Sequence, residues 1–232
     1  MSDILVFTAT YNEKENINNL VNEIFNSSNE IDMLVIDDNS PDGTWKELEA
    51  ISKENNKFFL IKRDKKLGLN TAHQMAYEYA VNKNYNKLIT MDADFSHDPK
   101  EIPKIIELLK THDFVIGSRY LNGGKNTQPL LRFLISFIGN KLIKYFLNIN
   151  ISEFTTSYRG FNLKKLNNFH LRNIRGKGYS FFMETVVVLY RLGFGCKEFP
   201  IIFKDRKFGK SKIPKIEIFR TFKNLIYLIF KR

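Results

Sequence analysis

The feature that most constrains the fold is a regular alternation, in the first half of the chain, of short apolar runs with longer helix-like segments. The apolar runs occupy residues 4–10, 33–38, 57–62, 87–92 and 113–118, and the helix-like segments occupy residues 14–27, 44–55, 69–82 and 99–110. Strands that alternate with helices form a mostly parallel sheet through right-handed crossovers. The chain is therefore predicted to have an α/β fold, with a mostly parallel central sheet flanked by helices.

Polar clusters follow four of these predicted strands. They read "TYNE" (10–13), "DDNSPDGT" (37–44), "DADFSHD" (92–98) and "GSRY" (117–120). In open parallel sheets, ligands bind in the crevice outside the carboxyl ends of the strands. Four unusual clusters at that one edge indicate an enzyme.

Charge is divided unevenly along the chain, whose formal net charge is +11. Residues 1–100 carry 11 Lys+Arg and 17 Asp+Glu, whereas residues 101–232 carry 25 and 8. A basic half is typical of proteins that bind nucleic acid, anionic lipid or phosphorylated substrates. The single cysteine, Cys196, excludes a disulfide framework and fits a reducing, cytoplasmic compartment.

Two long apolar segments in the basic half, residues 129–149 and 213–232, are predicted helices with interspersed Lys and Arg. Basic helices with large apolar faces are typical of membrane-surface elements, although ordinary core helices remain the alternative. No run reaches the ~18 uninterrupted apolar residues of a spanning helix. We therefore expect peripheral membrane contact and no membrane span.

Asp92 and Asp94 stand two residues apart at the end of the fourth predicted strand. If the chain stays extended there, both carboxylates point to the same side and repel each other unless a cation lies between them. Carboxylate oxygens suit Mg²⁺ or Mn²⁺ better than zinc. The alternative is a loop whose aspartates only cap the next helix, as Asp98 before Pro99 is predicted to do.

The phosphates of a substrate would have to be held without a glycine-rich loop. "FGKSK" (208–212) lacks the first glycine of a Walker motif, and "GFG" (193–195) lacks the third glycine of a dinucleotide fingerprint. Metal and arginine are the remaining means, and arginine forms bidentate phosphate contacts. The candidate cations are Arg119, Arg132, Arg159, Arg206 and Lys212.

Seven motifs, in one order and spacing, resemble those of the polyprenyl-phosphate mannosyltransferases. They are "TYNE", "DDNSPDGT", "DADFSHDP", "GSRY", "RFLIS", "GYSFFMET" and "DRKFGKSK". The dolichyl-phosphate mannose synthases are the type case, within glycosyltransferase family 2 of the GT-A fold. The resemblance extends over residues 4–220. It implies an inverting, metal-dependent transfer of a hexose, mannose from GDP-mannose, to a polyprenyl phosphate, with a UDP-hexose as the other donor to consider.

The resemblance also implies donor-site residues by position. The donor nucleotide would lie against Ala9, Tyr11, Glu13, Ile36 and Asp38. The metal and the donor phosphates would lie at Asp92, Ala93 and Asp94, with Asp94 as the main ligand of Mg²⁺ or Mn²⁺. Ser96 stands where some relatives have a glutamine ligand.

Further implied roles belong to the second half. Arg119, Arg132 and Ser136 would hold the acceptor phosphate and the sugar, and Arg206 and Lys212 would close over the diphosphate. Glu184 would be the acidic residue on the helix that faces the reaction centre. Tyr158 replaces a glycine of the family near the acceptor.

These roles predict one GT-A catalytic domain, residues 1–232. Residues 1–118 would bind the nucleotide-sugar, residues 119–212 the acceptor, and residues 213–232 would form a C-terminal basic amphipathic helix. The enzyme would lie peripherally on the cytoplasmic face of a membrane, and a small membrane subunit is a further candidate partner. No nucleic-acid partner is expected.

Two alternatives stay open at this point. In the first, a family 2 glycosyltransferase acts on a hydroxyl of a surface glycan, with Glu184 as the general base that removes the hydroxyl proton. In the second, the fold serves a non-catalytic protein that binds membranes or nucleic acid. The carboxylates at the strand ends disfavour the second, because an inert protein has no use for them there.

Overall fold

The computed structural model of the protein describes residues 2–205 and 216–231. Its first half contains, in chain order, β1 (Ile4–Thr10), α1 (Lys14–Ser27), β2 (Ile31–Asp37), α2 (Thr44–Glu54), β3 (Phe58–Lys62), α3 (Leu69–Asn82), β4 (Lys87–Asp92), α4 (Ile102–Thr111) and β5 (Phe114–Ser118). The predicted alternation is confirmed. The segment predicted as a helix over 99–110 begins with a separate 3₁₀ turn, Pro99–Glu101.

The second half is less regular. It contains β6 (Lys125–Asn126), α5 (Leu130–Leu147), β7 (Arg159–Asn162), α6 (Tyr179–Arg191), β8 (Cys196–Pro200), β9 (Ile202–Phe203) and α7 (Ile216–Phe230). The helices predicted over 129–149 and 213–232 correspond to α5 and α7. Helix α5 begins one residue later and ends two residues earlier than predicted, and α7 ends at Phe230. The strands of this half were not predicted from the sequence.

Seven strands form the central sheet in the order β3-β2-β1-β4-β7-β5-β8, and β6 pairs with β9 in a separate two-stranded sheet. All pairings in the central sheet are parallel except those of β7, which runs antiparallel to both β4 and β5. Gly160 lets α4 pack closely on β7, because a Cβ atom there would lie 2.6 Å from Ile105 Cγ2. The prediction of a mostly parallel sheet is confirmed.

Apolar residues cover both faces of the sheet. Along β1, Leu5 and Phe7 belong to the core layer that includes α3 and α6, whereas Ile4 and Val6 belong to the layer that includes α1 and α4. Successive side chains of a strand point to opposite faces. A strand buried on both faces must therefore be apolar throughout, which explains the continuous runs in the sequence.

The turn chemistry that connects strands to helices also follows the sequence. In "NSPDG", Gly43 N–H donates to the Ser40 carbonyl at 3.3 Å, and Gly43 has a φ of +85°, which glycine adopts without strain. Asp98 accepts a hydrogen bond from Lys100 N–H and is followed by Pro99 at the first position of the turn. The predicted capping role of Asp98 is confirmed.

Helices α5 and α7 contact each other, and α7 also packs on α6. Leu225 and Leu228 face the core, whereas Phe219 and Phe230 are 75% and 82% exposed. The exposed apolar residues of α5 are Leu130, Leu131, Leu134, Ile135, Ile138, Leu142, Tyr145 and Phe146. Both helices therefore present apolar side chains outward. Across residues 2–205 and 216–231, no helix is both long and apolar enough to cross a membrane.

Candidate active site

The strand register aligns three predicted donor residues at one edge of the sheet. Ala9 on β1 is the register partner of Ile36 on β2 and also of Asp92 on β4. The three residues come from strands separated by helical crossovers. They lie side by side at the carboxyl ends, where parallel sheets bind ligands.

The loop after β1 and the turn after β2 are joined by hydrogen bonds. Asn12 N–H donates to Ser40 Oγ at 2.9 Å, and Glu13 N–H donates to Thr44 Oγ1 at 3.0 Å. Asp37 accepts from Thr10 Oγ1 at 2.7 Å and from Ser40 Oγ at 2.6 Å. These contacts explain the first of the two consecutive aspartates, because Asp37 is a structural acceptor that holds the two loops together.

The second aspartate, Asp38, is paired with a residue that was not among the predicted site residues. Its carboxylate forms a buried ion pair with Arg63, which directly follows β3. Arg63 also donates to Thr71 Oγ1 at 2.6 Å and to the Gly68 carbonyl at 3.3 Å. Arg63 thus fixes Asp38 against the start of α3. Its position directly after a predicted strand was the signal available in the sequence.

Tyr11 and Glu13, the other predicted donor residues, lie in the loop after β1. The Lys66 ammonium lies 3.9 Å from the centroid of the Tyr11 ring, and Glu13 accepts from Asn16 Nδ2 at 2.8 Å. A cation above an aromatic ring is attracted by the electron density of its face. The loop between β3 and α3 therefore reaches the predicted nucleotide pocket.

The backbone at the paired carboxylates is not extended, in contrast to the geometry considered from the sequence. Strand β4 ends at Asp92, and the chain then bends through Ala93 to His97. Phe95, inside the bend, has a left-handed φ of +61°. Such a conformation costs an L-residue ~1–2 kcal/mol and persists only where surrounding contacts hold it.

Each carboxylate of the pair is oriented by a serine. Ser157 Oγ donates to Asp92 Oδ1 at 2.6 Å, and Ser96 Oγ donates to Asp94 Oδ1, also at 2.6 Å. Asp94 is buried, whereas the Asp92 side chain is about one third exposed. Ser96, which stands where some relatives have a glutamine ligand, therefore contacts the carboxylate itself.

The donor set at this bend fits a hard divalent cation. Mg²⁺ is usually bound by one or two carboxylates and completes its shell with water and substrate phosphates. Asp92 and Asp94 supply two carboxylates. In the described part of the chain, no group of three or more His, Cys, Asp or Glu residues could enclose a metal by itself. Such a site would have to share its cation with the substrate.

His97 is buried beneath the same bend. Its Nδ1 accepts the Asp92 N–H at 3.1 Å, and its Nε2 lies 3.2 Å from Thr156 Oγ1. The ring stacks on Tyr158 at a centroid distance of 4.8 Å. Burial lowers the pKa of His97 below its usual value. Tyr158 is itself a core residue, and its hydroxyl donates to the Asp98 carbonyl at 2.8 Å.

Arg119, a predicted acceptor-site cation, is engaged in a buried ion pair. Its guanidinium donates to Glu153 Oε2 at 2.7 Å and to Glu153 Oε1 at 2.9 Å. Burial alone would raise the pKa of Glu153, but the charge and hydrogen bonds of Arg119 hold it below its usual value. Glu153 lies in an irregular segment and was not among the predicted site residues.

Arg132 and Ser136 lie on α5. Arg132 is exposed, and Ser136 Oγ accepts from the Tyr120 hydroxyl at 2.7 Å. A cavity of about 410 Å³ is lined by Arg119, Tyr120 and the aromatic rings of α5. A larger hollow of about 960 Å³ lies at the amino ends of the strands, and none of the predicted site residues in the described ranges lines it. The smaller cavity is lined by one predicted site residue, Arg119, and by Tyr120, whose hydroxyl donates to Ser136.

Two other predicted residues have structural contacts. The Glu184 carboxylate is 2% exposed and accepts from Gly176 N–H at 2.9 Å and from Asn224 Nδ2 at 3.1 Å. Arg159 donates to the Thr156 and Phe154 carbonyls, and burial lowers its pKa to about 9. Arg159 is therefore a core residue and is not placed to contact a substrate phosphate.

Arg206 and Lys212, predicted to close over the diphosphate, lie outside the described residues. The structure therefore brings together Ala9, Ile36, Asp92 and Asp94 at one sheet edge. Arg119 lines the smaller cavity, and Ser136 contacts the cavity residue Tyr120, whereas Arg132 is exposed on α5.

Solved structures with the same fold include glycosyltransferases with bound nucleotides. The chain resembles glucosyl-3-phosphoglycerate synthase from Mycobacterium tuberculosis in complex with UDP, with a TM-score of 0.67, 16% identity, and coverage of 97% of this chain and 79% of that one. It also resembles a mannosyltransferase from Pyrobaculum calidifontis in complex with GDP-Man and Mn²⁺, with a TM-score of 0.59, 14% identity, and coverage of 99% and 70%. The fold is the GT-A fold.

Comparison with curated sequences identifies closer relatives. The chain is 34% identical over 211 residues to undecaprenyl-phosphate mannosyltransferase from Micrococcus luteus, covering 90% of this chain and 87% of that protein. It is 31% identical over 212 residues to polyprenol monophosphomannose synthase from Mycolicibacterium smegmatis, covering 90% and 80%. The family model described as glycosyl transferase family 2 matches residues 5–169. The chain therefore belongs to glycosyl transferase family 2 and is a glycosyltransferase.

Proposed function

We propose that this glycosyltransferase moves mannose from GDP-mannose to a polyprenyl phosphate, with inversion at the anomeric carbon and with bound Mg²⁺ or Mn²⁺. The observation that carries the proposal is the alignment of Ala9, Ile36 and Asp92 at the carboxyl edge, beside the bend that holds Asp94. The two curated relatives are named for polyprenol-linked mannosyl transfer, which supports this acceptor class.

The donor would bind at the sheet edge. Asp92 and Asp94 would hold the metal, which neutralises the diphosphate leaving group when bound. Ala9, Tyr11, Glu13, Ile36 and Asp38 would contact the nucleotide, and Arg206 and Lys212 would add positive charge to the diphosphate.

The acceptor chemistry explains why no general base is needed. A polyprenyl phosphate is already an anion at neutral pH, so the enzyme has to position it rather than deprotonate it. Arg132 is exposed on α5 and is next in sequence to Phe133, which lines the cavity, so it suits contact with the acceptor phosphate and the sugar. The buried carboxylate of Glu184 is already engaged by Gly176 and Asn224. This arrangement disfavours the alternative in which Glu184 deprotonates an acceptor hydroxyl.

The lipid would be reached through α5 and α7. Both helices carry exposed large apolar residues together with Lys and Arg side chains, a combination that binds the interface of an anionic membrane. We therefore propose peripheral attachment on the cytoplasmic face, where residues 119–212 bind the acceptor and residues 1–118 bind the donor. A small membrane subunit remains a candidate partner.

A transfer assay with radiolabelled GDP-mannose and polyprenyl phosphate tests the proposal. Wild type should form a labelled lipid only when Mn²⁺ or Mg²⁺ is present, and Asp94→Ala should form almost none. Asp98→Ala is the matched control, because Asp98 lies in the same segment but caps the Pro99 turn. Equal label from wild type and Asp94→Ala would reject the metal role. A parallel thermal-shift comparison of GDP-mannose with UDP-hexoses identifies the donor, since a ligand stabilises the state that binds it.

A further inference from the structure

The imidazole of His97 is held by hydrogen bonds at both nitrogens. Nδ1 accepts the backbone N–H of Asp92 at 3.1 Å, and Nε2 lies 3.2 Å from the hydroxyl oxygen of Thr156. The residue is 1% exposed. Solvent therefore supplies neither nitrogen with a partner, and the two protein contacts decide where the ring proton lies.

These contacts define the tautomer. An amide N–H can only donate, so the Nδ1 atom that accepts from Asp92 carries no proton. The proton of a neutral ring must then be on Nε2, which donates to Thr156 Oγ1. The same hydroxyl oxygen accepts the Tyr158 N–H at 3.2 Å, so it acts as an acceptor on both sides. The 3.8 Å between His97 Nδ1 and the Asp92 carboxylate is too long for a hydrogen bond.

Asp92 is thereby held at its backbone and at its carboxylate, and both contacts depend on the neighbouring residues Thr156 and Ser157. His97, supported by Thr156, holds its backbone, and Ser157 Oγ holds its carboxylate at 2.6 Å. Thr156 is anchored in turn, because its N–H donates to Glu153 Oε1 at 3.2 Å. The segment that pairs with Arg119 thus also supports Asp92, one of the two carboxylates predicted to bind the metal.

The bend between Asp92 and His97 needs such support. Phe95 adopts a left-handed φ of +61° between Asp94 and His97, a conformation that an L-residue does not prefer. The hydrogen bond from Asp92 N–H to His97 Nδ1 closes the bend across five positions. Without that hydrogen bond, the bend between Asp92 and His97 would keep the contacts of Ser96 with Asp94 but would lose the one that ties it to the end of β4.

We propose that His97 is a positioning residue which, as the neutral Nε2–H tautomer, fixes the bend so that Asp92 and Asp94 can take a divalent cation together with the donor diphosphate. The inference rests on the proposed function, and it assigns His97 an indirect role through Asp92. The competing explanation is that His97 only fills space, because its ring stacks on Tyr158 and meets Phe203 edge-on at 5.3 Å.

Two substitutions separate these explanations. His97→Phe keeps an aromatic ring against Tyr158 but cannot accept from Asp92. His97→Asn loses most of the ring but places an amide oxygen close to the position of Nδ1. If His97 acts only by packing, His97→Phe should lose less affinity for the donor nucleotide and metal than His97→Asn. If His97 acts by accepting the hydrogen bond from Asp92, His97→Asn should keep more of that affinity.

Calorimetric titration of the intact enzyme with GDP and Mn²⁺ measures the effect without turnover. We expect His97→Phe to unfold cooperatively but bind at least tenfold more weakly, and His97→Asn to recover part of the affinity. Ser157→Ala, which removes the other contact on Asp92 without altering the ring, should also bind more weakly. If His97→Phe binds like wild type, the inference is overturned, whereas absent binding by wild type overturns the proposed donor site as well.

Nitrogen NMR of the metal-free enzyme provides a readout that does not depend on binding. Histidine labelled at both ring nitrogens should show an unprotonated Nδ1 and a protonated Nε2 for His97, assigned by loss of the signals in His97→Asn. A protonated Nδ1 would overturn the inference even if all variants had altered affinity, because that atom could not accept from Asp92.

Discussion

Arg119, directly after β5, donates two hydrogen bonds to the Glu153 carboxylate, at 2.7 and 2.9 Å, in a buried ion pair. Glu153 also accepts from Thr155 N–H at 2.9 Å. The pair therefore joins the end of a sheet strand to the segment that contacts Asp92. Because both charged groups are buried, the loss of one would leave the other without compensation.

We expect Glu153→Gln to lower the free energy of unfolding by ~3–5 kcal/mol, the usual cost of removing one partner of a buried pair. Urea denaturation measures the change. The double variant Arg119→Met/Glu153→Leu should be more stable than Glu153→Gln, because neither charge then remains buried. Equal stability of wild type and Glu153→Gln would show that the pair is not buried in solution.

Glu184→Gln distinguishes the two acceptor chemistries. The substitution weakens the acceptor for Gly176 N–H and Asn224, so we expect a loss of ~1–3 kcal/mol in unfolding free energy. The turnover number of the folded enzyme should change little, since a phosphate acceptor needs no base. Abolished turnover in a folded variant, measured below its melting temperature, would instead favour a hydroxyl acceptor.

Arg132→Gln should weaken acceptor binding without destabilising the fold. Arg132 is exposed, and a charge-assisted hydrogen bond contributes ~1.5–3 kcal/mol, so the KM for polyprenyl phosphate should rise at least tenfold. The KM for the donor and the melting temperature should stay constant. Lys141→Gln, on the same helix, is the matched control, and an equal effect from it would indicate general membrane electrostatics.

The apolar residues on α7 should control vesicle binding. Phe219→Ser and Phe222→Ser each remove an exposed ring, and we expect each to weaken binding to anionic vesicles by roughly tenfold, about 1.4 kcal/mol. Cosedimentation measures the partition. Leu69→Ser and Met75→Ser, exposed residues of α3, should leave it unchanged. Equal losses from both pairs would argue against a specific membrane face.

His73 should make the fold sensitive to mild acid. It contacts the Phe7 and Phe182 rings edge-on at 5.1 and 5.0 Å, and burial, aided by Arg159, lowers its pKa from 6.5 to about 3. The unfolded state therefore binds a proton that the folded state excludes, and stability falls as pH decreases from about 6.5 toward 3.

From pH 7 to pH 5, the loss attributable to His73 should be roughly 2 kcal/mol. Denaturation at both pH values measures it, with His73→Leu as the comparison. His73→Leu should lose less stability over this interval, because it lacks the imidazole that takes up a proton on unfolding. Any contribution of His97 is the same in both proteins. The same pH dependence in both proteins would contradict the assignment.

Local sequence patterns determined the first half of the fold. Apolar runs of strand length and the helical segments between them identified β1 to β5, and Asp98 before Pro99 predicted the cap that the structure shows. The position of Asp92 at a strand end followed from the same pattern. These features depend on interactions between residues close in sequence, so the sequence contains them directly.

Partners distant in sequence were decided by the tertiary structure. Three such features have no periodic signature in the sequence: the antiparallel strand β7, the pairing of Asp38 with Arg63, and the contact of Ser157 with Asp92 across 65 positions. They form because the folded sheet brings irregular segments against the strand ends. The sequence by itself determined that carboxylates would stand at the edge of a parallel sheet. Which side chains hold them there was decided by packing, since buried polar groups must find partners wherever the fold places them.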